Sequence, residues 1–424
     1  MKYLSIRFFA ALALAAAASL ATARDLPVVK PESVGMSGER LARIGTWLKA
    51  EVAAGKIPGA VVLVARDGKV AYQETIGKLD PQKGAPMTSD AIFRIYSMTK
   101  PITTVAAMIL VEEGRLTLDA PVSRFIPEFA KMQVGVEKTD AAGAKSLDLV
   151  PARRAITMQD LMRHSSGLTY GFFGNSLVKK AYNDARIDAG GDTTNEEFAK
   201  KIATMPLHYH PGSTWDYSYS TDVLGRVVEV VAGKSLFAFM KERILDPLSM
   251  KDTSFYVPEP ARPARLAEPF TEDRTIGEGV GFNDPRVVKT AEPGGQGMVS
   301  TAADYARFLQ MLLGGGKLDG RRIIGPKTLE YMTSDHLGTS VVAGPLYLPG
   351  PGYGFGLGFA VRKGAGESAA IAAAGEYNWG GAGGTAFWVD PKTRLFVVFM
   401  MQSPKQRTLY RPILRNMVYA AVEK

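Results

Sequence analysis

The stretch FRIYSMTKP, residues 93–101, decides how the rest of the chain is interpreted. Ser97 and Lys100 are three residues apart, which places both side chains on one face of a helix that begins at the serine. The lysine amine can then reach the serine hydroxyl, and the serine's own N–H, unpaired at a helix start, can face an oxyanion. Because a lysine withdrawn from water can lose its proton near neutral pH, this pattern indicates a serine nucleophile with a lysine base.

A second match to the same S-x-x-K pattern, Ser176 to Lys179, shows that the motif alone is weak. Ser97 follows a β-rich run and opens a clean apolar helix, in which Pro101 is tolerated in the first turn. Ser176 follows the glycine-flanked loop GFFGN, residues 171–175, and we predict no amphipathic helix there. Ser97 is therefore the candidate nucleophile, and Ser176 is interpreted as a chance match.

Outward from residues 93–101, both ends of the chain predict antiparallel strands and a helix. The hydrophobic spacing and an Asp67-Gly68 turn predict a helix over 37–54 and strands over 60–65 and 70–75. The C-terminal elements are predicted as strands over 385–389 and 395–401 and a helix over 411–422. The middle of the chain is predicted to be mostly helical, with helices over 103–113, 157–164, 222–232, 236–245 and 301–313. Residues 134–154 and 257–297 are predicted to be irregular, and stretches of this length are often functional loops.

These elements predict an α/β (α+β) fold in a single catalytic domain over residues 24–424. Its antiparallel sheet is built from both chain ends, about 35–100 and 315–424, and is flanked by helices. A mostly helical subdomain, about 101–314, is inserted between them. A cleft between two such parts is a common place for a small-molecule site.

The first residues are predicted to be a secretory signal peptide. Lys2 and Arg7 precede an apolar run over 8–20, and Ala21-Thr22-Ala23 gives the small-x-small pattern of a cleavage site after Ala23. The apolar run is shorter than the ~20 residues that span a bilayer. We therefore expect a periplasmic or secreted protein, without stable membrane insertion once residues 1–23 are removed.

Composition excludes several chemistries. The 424 residues include no cysteine, which rules out disulfide scaffolds, thiol nucleophiles and iron–sulfur clusters. The net charge of +9 is not gathered into a dense basic block, so nucleic acid is not an expected partner. G-x-S-x-G and H-E-x-x-H are both absent, and the pair His208 and His210 has no visible third ligand. We expect no metal and no cofactor.

Several segments together resemble the serine β-lactamase and penicillin-binding protein superfamily. Beyond residues 93–101, they are LMRHSSGLTYG (161–171), PGSTWDYSYS (211–220), GGQGMVST (294–301) and WGG (379–381). They occur in the family's order and span nearly all of the chain after the predicted leader. The resemblance is to the class C β-lactamase-like branch, and within it to the family VIII carboxylesterases. It implies a β-lactamase/transpeptidase-like fold.

The resemblance also implies roles for particular residues. Ser97 matches the acylated nucleophile, Lys100 its neighbouring base, and Tyr217 the tyrosine of the family's Y-x-N motif, which shares or relays the proton. A shifted register would make Tyr219 that tyrosine, but the position after Pro211-Gly212-x-x-Trp215 favours Tyr217.

A further segment matches the family's K-T-G motif on the edge strand beside the substrate. The matching residues are Trp379, Gly380 and Gly381. By this register the oxyanion donors are the N–H groups of Ser97 and Ala382, and two such donors suit a tetrahedral acyl intermediate. The aromatic residues that would line an acyl pocket are Tyr170, Phe172, Trp215 and Tyr219, although such residues are at least as often core.

Two departures from the family's pattern bear on the substrate. Tyr219 stands where Y-x-N has asparagine, and Trp379 stands where K-T-G has lysine. Without these polar groups the site loses its selection for β-lactams, and an indole offers an apolar wall for an acyl ester. The sequence therefore predicts an exported serine hydrolase of small-molecule carboxylic esters. The alternatives are a β-lactamase or D,D-peptidase, an acyltransferase using the same acyl-enzyme, and, less favoured, a non-catalytic binding protein.

Overall fold

A computed structural model describes residues 25–257, 263–277 and 280–424 of the chain. The predicted signal peptide, residues 1–23, lies outside this part. The α-helices are α1 (Gly38–Ala53), α2 (Thr99–Glu112), α3 (Met158–Met162), α4 (Leu177–Asp184), α5 (Asn195–Ile202), α6 (Ser220–Ala232), α7 (Leu236–Met240), α8 (Ala302–Leu313), α9 (Pro326–Met332) and α10 (Arg407–Ala420). Within the described residues, none of these helices has the length and apolarity needed to cross a bilayer.

The strands fall into one large sheet and several short pairs. The strands are β1 (Gly59–Arg66), β2 (Lys69–Asp80), β3 (Ala85–Pro86), β4 (Phe93–Arg94), β5 (Gln133–Thr139), β6 (Lys145–Pro151), β7 (Thr214–Trp215), β8 (Thr275–Gly277), β9 (Val280–Gly281), β10 (Val299–Ser300), β11 (Lys317–Leu318), β12 (Arg321–Arg322), β13 (Val342–Ala343), β14 (Tyr353–Phe355), β15 (Ala360–Arg362), β16 (Tyr377–Gly380), β17 (Ala386–Asp390) and β18 (Leu395–Met401). The large antiparallel sheet has the order β14-β15-β16-β17-β18-β1-β2-β3. It is therefore built from both chain ends, as predicted, and β18 pairs with β1 at its centre.

The central strands are buried on both faces because alternate side chains enter two different cores. Val61 and Leu63 of β1 belong to the core shared with α2 and α8, together with Val398 of β18. Val62 of β1 and Val397 of β18 belong to the core shared with α1 and α10. The period of two along each strand thus places the terminal helices on one face and the inserted helical part on the other. This arrangement is the predicted mixed α/β fold.

Local signals at the N-terminal end were informative. The Ser37 side chain accepts the N–H of Arg40 and begins α1 where the sequence predicted. Asp67 and Gly68 both have positive φ values, 52° and 75°, as a two-residue hairpin turn requires. The structure extends the second strand of that hairpin to Asp80.

Two local predictions were wrong. Residues 134–154, expected to be irregular, contain the β5–β6 hairpin, which lies largely at the surface and so lacks a clear apolar alternation. A helix, α4, also begins directly after Ser176, where none was predicted. The Ser176 hydroxyl accepts the N–H of Lys179, so this serine is the helix N-cap.

Candidate active site

Ser97 lies in a tight turn that opens α2. The turn, a 3₁₀ helix over Tyr96–Met98, has its first hydrogen bond from the N–H of Met98 to the C=O of Ile95. The N–H of Ser97 precedes that bond and has no partner within the turn. Tyr96 has a φ of 43°, an uncommon value for a bulky residue, and such conformations concentrate at functional sites.

Lys100 is buried in the first turn of α2, about one turn after Ser97, and faces it. Its Nζ lies 3.4 Å from Ser97 Oγ, 3.2 Å from the hydroxyl of Tyr170 and 2.6 Å from the C=O of Gly295. Three acceptor atoms thus surround Nζ, and the amine is held in one place. The structure brings Ser97 and Lys100 together as the motif predicts.

Tyr217 completes this group from the loop before α6. The Nζ of Lys100 lies 4.6 Å from the centre of the Tyr217 ring, over its face. The indole Nε1–H of Trp379 donates a hydrogen bond of 3.3 Å to the Tyr217 hydroxyl oxygen. Trp379 is thus both the predicted apolar wall and a hydrogen-bond donor to the tyrosine. The donor role was not predicted from the sequence.

Tyr170, predicted only to line the substrate pocket, also contacts the lysine. Its hydroxyl is the phenol that contacts Lys100 directly, and burial raises its pKa well above the usual value. It therefore remains a neutral phenol at physiological pH. Its ring packs on Phe172 at 5.0 Å between centroids, and both rings line the cavity described below.

Trp215 and Tyr219 do not line that cavity, contrary to the prediction for the substrate pocket. Trp215 is completely buried and stacks on Tyr217 at 6.0 Å between ring centroids. The Tyr219 hydroxyl donates to the C=O of Ile187. Trp215 therefore supports Tyr217 together with the buried ring of His164, whereas the Tyr219 ring packs on Tyr170 and Phe198.

The cavity beside Ser97 has a volume of about 470 Å³. Aromatic side chains form one wall, contributed by Tyr170, Phe172, Phe173, Tyr217 and Trp379. Arginine side chains of α10 and the segment from Gly380 to Ala382 form another part of the lining. This volume falls in the range of small-molecule sites.

The segment after β16 supplies the backbone beside the nucleophile. A Cβ on Gly381 would lie 2.4 Å from the C=O of Ile95, so only glycine allows this close approach to the turn that holds Ser97. Ala382 follows directly and lines the cavity. The geometry thus brings Ala382 to the same cavity as Ser97.

The prediction of an edge strand needs a correction. β16 lies inside the sheet between β15 and β17, and is not an edge. However, β15 pairs only with Tyr377 and Asn378, so β16 extends beyond its neighbour at Trp379 and Gly380. That end pairs only with β17, which gives it an edge-like position on an internal strand.

Asp222, in the first turn of α6, is a site residue that sequence reasoning missed. Its Oδ1 accepts the N–H of Gly295 at 2.9 Å, and the C=O of the same glycine accepts the Lys100 amine. Burial raises the pKa of Asp222 to about 6, while Lys100 opposes that shift. A Cβ on Gly295 would lie 2.5 Å from the carboxylate. Only the fold reveals this link, because the two residues are far apart in sequence.

The two histidines considered as metal ligands have other partners. His208 Nδ1 lies 2.9 Å from the carboxylate of Asp216, and His210 Nδ1 accepts the N–H of Arg153. Among the described residues no group of three or more metal-ligating side chains is assembled.

Comparison with known proteins gives consistent matches. The family model "Beta-lactamase" matches residues 44–419. Esterase EstB of Burkholderia gladioli is 32% identical over 388 residues, which cover 86% of this chain and 91% of the relative. The solved structure of EstCE1, described as a hydrolase with promiscuous acyltransferase activity, has a TM-score of 0.74 and 30% identity over 90% of this chain and 99% of its own. Simvastatin synthase from Aspergillus terreus has a TM-score of 0.73 and 25% identity, with 91% and 99% covered.

The chain belongs to the β-lactamase family, whose model spans most of its length. The resemblance derived from the sequence motifs is therefore confirmed. Its relatives and structural neighbours include enzymes named as an esterase, a hydrolase with promiscuous acyltransferase activity and a synthase.

Proposed function

We propose that this protein is an exported serine hydrolase that cleaves carboxylic esters through an acyl-enzyme on Ser97. The observation that carries the proposal is the placement of the Lys100 amine 3.4 Å from Ser97 Oγ, beside a cavity with an aromatic wall. A serine hydroxyl needs an adjacent base to become a nucleophile, and a fixed amine beside Tyr217 provides one.

The proposed reaction has two steps, acylation of Ser97 and hydrolysis of the acyl-enzyme. Ser97 Oγ bonds to the ester carbonyl carbon while its proton passes to the Tyr217 and Lys100 pair, and the carbonyl electron pair moves onto oxygen. Return of that pair breaks the bond to the alcohol oxygen, which takes up the proton and leaves. Water then repeats the sequence on the acyl-enzyme and releases the carboxylic acid. The N–H groups of Ser97 and Ala382 are the proposed donors to the oxyanion.

The substrate class follows from the wall of the cavity. A lysine at position 379 would present a cation beside the substrate, whereas Trp379 presents a neutral ring and one N–H, already donated to Tyr217. The aromatic side chains opposite favour an apolar acyl or alkyl group. Esterase EstB, a relative that this chain covers almost completely, is named for ester hydrolysis.

Acyl transfer to an alcohol is the second candidate. EstCE1 is described as a hydrolase with promiscuous acyltransferase activity, and simvastatin synthase is a structural relative at 25% identity. Both reactions share the acyl-enzyme and differ only in whether water or an alcohol attacks it. Hydrolysis is preferred here because it needs no second substrate site.

The proposed location is the periplasm or the exterior of the cell. It rests on the basic, apolar and small-residue pattern of residues 1–23. Expression of the full chain followed by N-terminal sequencing of the mature protein tests this part, with Arg24 as the expected first residue.

The test of the activity is a substrate profile of the purified protein with a matched Ser97→Ala control. We expect hydrolysis of short acyl esters by the wild type only, at rates well above those on a chromogenic cephalosporin. Faster turnover of the cephalosporin would favour a β-lactamase instead. Ester hydrolysis that survives in Ser97→Ala would contradict the proposal.

A further inference from the structure

One face of α10 presents arginines to the cavity beside the proposed oxyanion segment. Arg407, Arg411 and Arg415 follow one another at intervals of four residues and line that cavity. Arg415 is paired with Glu376 at 2.9 Å. Arg407 and Arg411 instead donate hydrogen bonds to backbone carbonyl groups. Arg407 donates to the C=O of Ala382, and Arg411 to those of Gly381 and Thr385.

One contact of Arg411 is with the peptide group that carries the Ala382 N–H. Its Nη2 donates to the C=O of Gly381 at 2.7 Å and to the C=O of Thr385 at 3.0 Å. The C=O of Gly381 and the N–H of Ala382 are the two ends of the same planar peptide unit. A donor at the oxygen end therefore acts on the group that carries the Ala382 N–H.

Arg411 is a cation at physiological pH. Burial and the neighbouring Arg407 lower its pKa, but only to about 10. A Cβ on Gly380 would lie 2.5 Å from the guanidinium carbon of Arg411, so the glycine leaves room for this charge beneath the strand. The second residue of the W-G-G segment thus has a physical reason to be glycine that is separate from substrate access.

We propose that Arg411 is a positioning residue that strengthens the Ala382 N–H as an oxyanion donor by polarising the Gly381–Ala382 peptide. Hydrogen bonds in series polarise one another, and a charged donor does so more strongly than a neutral one. The inference rests on the proposed function, because it presumes that the Ala382 N–H faces the oxyanion.

Arg407 provides a matched comparison on the same helix. Its Nη1 donates to the C=O of Ala382 at 3.1 Å, which belongs to the next peptide unit. The N–H of that unit is that of Gly383, which is not a proposed oxyanion donor. Removing Arg407 therefore removes a similar charge from the same cavity without acting on the Gly381–Ala382 peptide.

The experiment compares Arg411→Met, Arg411→Lys and Arg407→Met with the wild type on an ester and on its thionoester, in which sulfur replaces the carbonyl oxygen. Sulfur is a weak hydrogen-bond acceptor, so the thionoester reaction gains less from an N–H donor. We expect Arg411→Met to lower kcat/KM for the ester by roughly 10- to 100-fold, a part of the effect of losing a whole donor. The thionoester rate should fall less than about threefold, while Arg407→Met should change both substrates by one common factor.

Arg411→Lys is the control for a folding defect, because it retains the positive charge and one donor nitrogen. It should lower the ratio of ester to thionoester rates by a smaller factor than Arg411→Met, with thermal unfolding close to that of the wild type. An unchanged ratio in both Arg411 variants, or the same ratio change in Arg407→Met, overturns the inference alone. A wild-type protein that cleaves neither substrate overturns the proposed function and this inference with it.

Discussion

Two segments of this chain share the S-x-x-K pattern and both begin a helix, yet their side chains are arranged oppositely. At Ser97 the serine hydroxyl faces the lysine amine at 3.4 Å. At Ser176 the hydroxyl accepts the backbone N–H of Lys179, and the Lys179 amine bonds to the C=O of Phe173. The motif therefore specifies a helix start, and the preceding backbone decides what the serine does.

The conformation before each serine explains the difference. Ser176 has an extended backbone, with φ and ψ of −93° and 159°, which is the ordinary N-cap geometry. Ser97 instead lies inside a 3₁₀ turn that begins at the strained Tyr96, so α2 begins two residues after Ser97, at Thr99. The Ser97 hydroxyl is thereby free to face the lysine and the cavity.

The largest expected effect separates the two serines. Ser97→Ala should lower kcat/KM for ester hydrolysis by at least about 10⁴-fold, because no nucleophile remains. Ser176→Ala should leave the rate within about twofold of the wild type and lower the free energy of unfolding by about 1 kcal/mol, as loss of an N-cap does. Steady-state kinetics and denaturant unfolding of both variants check this. Equal losses of activity would erase the distinction.

The next effect separates the two lysines. Lys100→Met should lower kcat by roughly 10²- to 10⁴-fold, the usual contribution of a general base. Lys179→Met removes the amine that holds the Phe173 backbone at the cavity wall. It should raise KM a fewfold with a smaller change in kcat. Pre-steady-state acylation rates measure the first effect directly, and a loss below tenfold for Lys100→Met would remove this lysine from the proposed mechanism.

The chain ends and the nucleophile were predictable because their signals are local. An Asp-Gly turn between two β-rich runs, a serine N-cap and apolar residues at helical spacing identify α1, β1 and β2 from neighbouring residues alone. The β5–β6 hairpin was not predictable, because its side chains are mostly exposed and follow no apolar alternation. The contacts of Lys100 with Tyr170 and Gly295 join distant parts of the chain. Only packing of the rest of the helical part against α2 creates these contacts.

The third comparison concerns the buried carboxylates Asp222, near Lys100, and Asp216, near Lys179. Their replacement by asparagine should change the stability in opposite directions. The folded-state pKa of Asp222 is about 6, above its ordinary 3.8, so the folded protein binds this proton more tightly than the unfolded chain. The tighter proton binding therefore stabilises the folded protein below pH 4. As the pH rises from 4 to 6 this contribution, about 3 kcal/mol of the free energy of unfolding, is lost. Above pH 6, Asp222→Asn should accordingly be more stable than the wild type by an amount of this order.

Asp216 is the matched residue in the second segment. Its carboxylate lies 4.0 Å from the Lys179 amine and 2.9 Å from His208 Nδ1, and all these groups are largely buried. Asp216→Asn should destabilise the protein, because it leaves Lys179 without its charge partner. Urea unfolding at pH 4.5 and pH 7.5 measures both variants. Destabilisation by Asp222→Asn at pH 7.5 would contradict the assigned cost of burying that carboxylate.

The smallest effect concerns the indole groups on either side of Tyr217. Trp379→Phe keeps the aromatic wall but removes the N–H donated to the Tyr217 hydroxyl, so kcat should fall by about tenfold. Trp215→Phe changes a ring that stacks on Tyr217 without lining the cavity. It should lower kcat less than threefold. Equal effects of the two substitutions would show that the Trp379 hydrogen bond contributes nothing specific.

We expect Ser97, and not Ser176, to form the acyl-enzyme. The direct measurement is labelling of the wild-type protein with a fluorophosphonate probe, followed by digestion and mass spectrometry of the modified peptide. We expect one adduct on Ser97, formed at a much lower rate in Lys100→Met. An adduct on Ser176 or another residue, or no adduct in protein that hydrolyses esters, would contradict it.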